Sequence, residues 1–244
     1  MALNARNMPR QQSGHRQEPM EAGTYPCRVV QVIDIGVQEQ RPYKGTTKPP
    51  APHVILTYEF LDEFCLDEEG EVQEDKPRWL SETLPLYSLE ADLAKSTKRY
   101  YSLDPDEVFG GDFTLLIDAT CMVTINQYED KKNKGEFKNG ISSVATMRPK
   151  EAAKAPALVN PPKVFVIDAP DLEVFKSLPD WLQDKIKKSL EFGGSALDEA
   201  LKAPAKPAAA KPAKPKPNRQ APVEEDDDDQ AEEVPLDEDG NPLW

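Results

Sequence analysis

Five stretches of the chain alternate in side-chain character or are rich in β-branched and aromatic residues, and a helical stretch interrupts them once, between the third and the fourth. Tyr25 to Val37 places Cys27, Val29, Gln31 and Ile33 on one side and Arg28, Val30 and Val32 on the other, with Gly36 marking a bulge or bend. His53 to Leu61 is the second strand, and PRWLSETLPLY, from Pro77 to Tyr87, is the third. Ser88 then opens a helical segment as a candidate cap, with Glu90 in the first turn and Leu89 and Leu93 four residues apart on one face. Phe113 to Tyr128 is an apolar run rich in Leu, Ile, Val and Thr, and EDKKNKG turns it into a fifth strand, EFKNGISSVATM.

This order predicts a mainly β protein, an OB-fold: a five-stranded Greek-key barrel with its helix between strands 3 and 4. The barrel domain covers residues 23–150. Residues 1–22, with Arg6, Arg10 and Arg16 and no periodicity, are expected to form a disordered basic arm. The acidic stretch Asp62 to Asp75 reads as an excursion between strands two and three. Residues 151–201 read as a connector and a helix starting near Ser177, whose Leu178, Leu182, Ile186 and Leu190 recur every fourth residue. That helix is expected to pack on the barrel or on a second subunit, the latter making a homo-oligomer.

Charge divides the remainder. Residues 202–222 carry six basic and no acidic side chains in a Lys, Pro and Ala context, the composition of an extended linker. Residues 223–244 carry eleven carboxylates and no Lys or Arg, and end on Leu243 and Trp244. Eleven like charges resist burial, so this tail is expected to stay solvated, a partner hook built from Asp226, Asp227, Asp228, Asp229, Leu243 and Trp244. Of the net charge of −14, the residues before the linker hold only −9, and nine carboxylates lie between Glu59 and Asp75. Outside that stretch the first 201 residues balance at 24 basic and 24 acidic, so overall acidity does not exclude a nucleic-acid partner.

Enzymatic constellations are missing from the sequence. Two histidines, His15 and His53, cannot assemble a Ser-His-Asp triad or a two-histidine metal site, and no phosphate-binding GxxxxGK[ST] loop occurs. Gly110, Gly111, Asp112 and Phe113 read as a turn entering a strand. Cys27, Cys65 and Cys121 have unrelated spacings and suggest neither a disulfide framework nor a zinc site. No cofactor or metal is expected. With no apolar run of roughly 18 residues, the chain is expected to be soluble, intracellular and reduced.

Three places combine cations with aromatic rings: Arg41, Tyr43, Lys44 and Lys48 in the first loop; Lys95, Lys98, Arg99, Tyr100 and Tyr101 near the helix end; Tyr128, Lys131, Lys132, Lys134, Phe137 and Lys138 at the last hairpin. Cations neutralise phosphates while rings stack on splayed bases, a combination suited to single strands without sequence preference. Alternation leaves Trp79, beside Arg78, as either core or platform.

The chain resembles the single-stranded DNA-binding proteins of tailed bacteriophages, through GTYPCRVVQVIDIG at the start of the barrel, LPLYSLEADLAKS, the hairpin LLIDATCMVTINQYEDKKNKGEFKNGISSVATM, the helix LPDWLQDKIKKSLEF and the acidic tail with its terminal aromatic. The resemblance implies a non-enzymatic protein of the host cytoplasm that coats single-stranded DNA in phage replication and recombination. It also implies a tail that recruits replication proteins such as DNA polymerase, helicase-primase or nuclease. The acidic loop and the arrangement EEDDDDQAEEVPLDEDGNPLW depart from the compact pattern of such proteins. The alternative is a protein-interaction factor, a DNA mimic or a virion assembly factor, acting through the acidic segments.

Overall fold

A computed structural model describes residues 17–40, 42, 45–130 and 134–202; the basic arm up to residue 16, the linker beyond residue 202 and the acidic tail lie outside them. The described residues all belong to one compact unit.

This unit is organised around β1 (Gly23–Gln38), flanked by β2 (Ala51–Leu66) and β4 (Thr120–Glu129), with β3 (Val72–Pro85) beyond β2 and β5 (Phe137–Thr146) beyond β4. These five are antiparallel, and a short β6 (Lys163–Phe165) adds in parallel beside Gln31–Ile33. β1 therefore has two partners along one edge: its first half pairs with β4 and its second with β6. A register shift between Val29 and Gln31 separates the halves, and both faces of the strand are buried.

The inner face builds the main core. Cys27, Val29 and Val32 of β1 meet Leu56, Tyr58 and Phe60 of β2, Leu84 of β3, and Cys121, Val123 and Ile125 of β4. Burial raises the pKa of both thiols far above the ordinary range, so Cys27 and Cys121 serve as small apolar groups. The outer face of β1 and β2 contributes Ile33, Ile35 and Ile55 to a second core with Phe165 and Ile167, Phe175 of α3 (Leu172–Ser177), Leu182 and Ile186 of α4 (Asp180–Lys187), and Leu197 of α5 (Ala196–Lys202). Each such side chain contributes roughly 1.5–3 kcal/mol. The helix expected from near Ser177 to Leu190 is shorter: Ser177 ends α3, α4 starts at Asp180 after Pro179, Leu178, Leu182 and Ile186 are buried in the second core, and Leu190 lies past the helix and is exposed.

β3 and β5 share no ladder, so the sheet is open along the seam between these two edges. Side chains cross it at two levels. At one, Arg99 of α1 (Lys95–Leu103) donates to both oxygens of Glu82 on β3, at 2.7 and 3.3 Å, and to the carbonyl of Ser142 on β5, at 3.4 Å. At the other, Arg78 of β3 donates to the carbonyl of Glu18, while Asn139 of β5 accepts from Met20 N and donates to its carbonyl. Gln17 adds a two-way amide bond to the backbone of Leu66, and the Met20 side chain is buried in the core.

Several expectations are corrected. The protein is mainly β as expected, but its strands form an open sheet of six, β6 joining the five anticipated. Residues 17–22 belong to the fold rather than to an arm, because Gln17 and Met20 find partners on two hairpins. The acidic stretch is a continuation of β2 and β3 into a ribbon, closed by Asp67 Oδ1, which accepts from Glu69 N and Glu71 N. The helix begins at Lys95, because the Ser88 hydroxyl accepts from Glu90 N in a local turn; Leu93 is left exposed. Phe113–Leu116 is a 3-10 turn, held by Asp112 accepting from Thr114 N, and β4 starts only at Thr120. A further short helix, α2 (Pro149–Ala152), follows β5.

Candidate nucleic-acid interface

Alternation along β3 turns Leu80, Glu82 and Leu84 inward and Trp79, Ser81 and Thr83 outward, with Trp79 opposite Glu59 of β2 and Glu59 opposite Arg28 of β1. Trp79 is 47% exposed. Its neighbour Glu59 is fully buried yet satisfied, accepting from Val159 N, Asn160 N and the Asn160 side chain at 2.7–3.1 Å. Arg28 likewise donates to the carbonyls of Ala155, Pro156 and Asp118. The Arg28 and Glu59 pair thus clamps the connector 155–160 onto the outer face of β1 and β2 and leaves the β3 side open. Tyr87, just past β3, is also exposed, its hydroxyl donating to Gln40 at the start of the first loop.

The hairpin of β4 and β5 carries the second set. Tyr128 pairs with Lys138 across the ladder, and Glu129 with Phe137, so the two aromatic rings point to opposite faces. Phe137 faces a shallow pocket with Gln17, Glu18, Pro19, Gln127, Gly135 and Glu136. Tyr128 is 49% exposed on the outer face, packed on Gly140 and beside Asn126. Lys138 forms an ion pair with Asp130, and Lys134 is exposed in the turn. The two crossings join Glu82 to Ser142 through Arg99 and Arg78 to Asn139 through Glu18 and Met20, and Trp79 and Gly140 lie on the two strands, β3 and β5, that border the seam.

The helix cluster does not form a surface as expected. Arg99 and Tyr100 are buried and so are not available to a base. Arg99 is committed to Glu82, and the Tyr100 hydroxyl donates to Asp104 at 2.8 Å and accepts from Gly111 N. Burial and Asp104 push the Tyr100 phenol up to about 12. Burial alone would raise Glu82, but hydrogen bonds from Arg99 and Lys95 outweigh it and hold the carboxyl below its ordinary value. Lys98 remains on the helix surface, lining a groove with Tyr101, Ser102 and the outer edge of β5 from Ser142 to Thr146.

Of the other expected contacts, Lys48 is exposed in the first loop, whereas Arg41, Tyr43, Lys44, Lys131, Lys132, Asp226, Asp227, Asp228, Asp229, Leu243 and Trp244 lie outside the described residues. Sequence reasoning passed over Gly140, Asn126 and Tyr87. The glycine inside a strand was the available signal for the first. Among the described residues no three His, Cys, Asp or Glu side chains are grouped to hold a metal ion, and no helix is long and apolar enough to cross a membrane. No family model matches the chain, and no curated protein is significantly similar to it.

Proposed function

We propose that the protein binds single-stranded DNA without sequence preference, as a non-enzymatic coating protein of phage replication and recombination in the host cytoplasm. The observation that carries the reading is the pair of exposed aromatic rings, Trp79 and Tyr128, flanking an open seam, with Lys134 and Lys138 on the adjoining hairpin. The strand order β3-β2-β1-β4-β5 is that of an OB barrel opened between β3 and β5, with α1 at the gap, and this supports the OB-fold reading. Rings that stack on any base, together with cations that release counterions from phosphate, favour an unpaired strand over a duplex whose bases are already stacked. The acidic tail is proposed to recruit polymerase, helicase-primase or nuclease.

A second reading keeps some support. The acidic ribbon of β2 and β3 is ordered and presents Asp62, Glu68, Glu69, Glu71, Glu74 and Asp75 to solvent, a surface that a DNA-mimicking interaction factor would use. Fluorescence anisotropy with a 30-mer of dT and with duplex of equal length, at about 50 mM salt, separates the two. Tight binding of oligo(dT) over duplex supports the coating function, and failure to bind either supports the alternative.

A further inference from the structure

We infer that Gly140 is a positioning residue whose missing side chain seats Tyr128 as a fixed stacking platform for one nucleobase, with the Asn126 carboxamide at its flank. The inference rests on the single-strand reading above. Gly140 lies inside β5, where glycine costs chain entropy and offers nothing to pack, so its presence needs a local cause. Backbone conformation does not supply one, because Gly140 is not among the glycines with positive φ. Space does. A Cβ at this position would stand 3.1 and 3.3 Å from Cε1 and Cδ1 of the Tyr128 ring, and 3.0 Å from Oδ1 of Asn126.

Asn126 is the direct cross-strand partner of Gly140 and Tyr128 the diagonal one, so both side chains converge on the bare backbone from the same face. The ring is therefore braced from beneath while half of it remains open to solvent. Lys138, the direct cross-strand partner of Tyr128, is paired with Asp130. An aromatic already held in one place loses little side-chain freedom when a base arrives. The chemistry at this seat suits an unpaired base of either class: a π face accepts any ring, and a carboxamide offers both a donor and an acceptor to a base edge.

Oligo(dT) anisotropy on the full-length protein tests this with four variants: Gly140→Ala, Tyr128→Ala, Tyr128→Phe and Gly140→Ala combined with Tyr128→Ala. Loss of the ring in Tyr128→Ala should weaken binding about 5- to 150-fold, with Tyr128→Phe close to the parent. Gly140→Ala, which displaces the ring without removing it, should weaken binding about 3- to 10-fold and should add nothing once Tyr128 is Ala. The dependence of log K on log salt should keep its slope in all four, because no phosphate contact is lost. Parent-like binding by Gly140→Ala, a full additional loss in the double variant, or parent-like binding by Tyr128→Ala overturns the assignment while the single-strand reading stands. Should Gly140→Ala fail to fold, the contrast of Tyr128→Phe with Tyr128→Ala decides for or against the platform. A parent that does not bind oligo(dT) overturns both the assignment and the reading beneath it.

Discussion

Gly36 and Glu82 show how single positions fix the frame that holds the proposed surface. Gly36 has φ +71°, and a Cβ there would stand 2.7 Å from Ile167 Cδ1 and 2.8 Å from Ser189 Cβ and Glu191 Oε1. Left-handed strain and overpacking together should cost Gly36→Ala about 3 kcal/mol in urea unfolding, unlike Gly45→Ala, where nothing lies within 4 Å and only the strain remains. Removing Arg99 leaves the buried Glu82 carboxylate with only Lys95 and the Tyr58 hydroxyl as partners, so Arg99→Met should cost about 3 kcal/mol at pH 7. The sign with pH follows from the depressed value of Glu82. Its stabilising share is present above its unfolded value near 4.5 and is lost as pH falls through the lower folded value. The difference in melting temperature between parent and Arg99→Met should therefore shrink between pH 7 and pH 3.5; a constant difference would mean that the pair does not couple to folding.

At the scale of elements, runs of β-branched and aromatic residues made the strands legible, because Tyr25–Val37 and His53–Leu61 are buried on both faces and read as short, nearly continuous apolar stretches. What stayed hidden rested on local turn chemistry and on pairings that alternation does not report. The acidic ribbon could not be told from a loop without knowing that Asp67 closes its turn. The start of α1 was misplaced because Ser88 spends its hydroxyl on Glu90 N. The burial of Arg99 and Tyr100 depends on Glu82 of β3 and on Asp104 at the C-cap of the helix, whose composition reads as a solvent-facing one. Three residues of β6 are too few to announce a parallel pairing. The site was legible in part: Trp79 and the hairpin residues were named, but not the glycine under Tyr128 nor the divergence of Tyr128 and Phe137 to opposite faces. Glu59 gives an element-level prediction. Glu59→Ala leaves three donors of residues 159 and 160 without an acceptor and should cost about 2–4 kcal/mol, with faster amide exchange over 155–160. Unchanged exchange there would mean that the connector is held by other contacts.

For the whole molecule, segregation of charge lets an acidic chain offer a cationic hairpin: the carboxylates gather in the ribbon and the tail, while Lys134 and Lys138 stand apart from both in sequence. Removing residues 223–244 should tighten oligo(dT) binding at low salt and have no effect at 1 M, where the screening length is about 3 Å. A deletion that weakens binding would contradict electrostatic repulsion between the eleven tail carboxylates and DNA phosphate. The most direct measurement is amide hydrogen exchange of the full-length protein with and without a 30-mer of dT. Protection is predicted on both sides of the seam, over residues 77–85 of β3 and 123–144 of the β4–β5 hairpin, with the α3–α5 region unchanged. Protection confined to residues 163–202, or none at a DNA concentration that saturates binding, would contradict the assignment of the single strand to the seam.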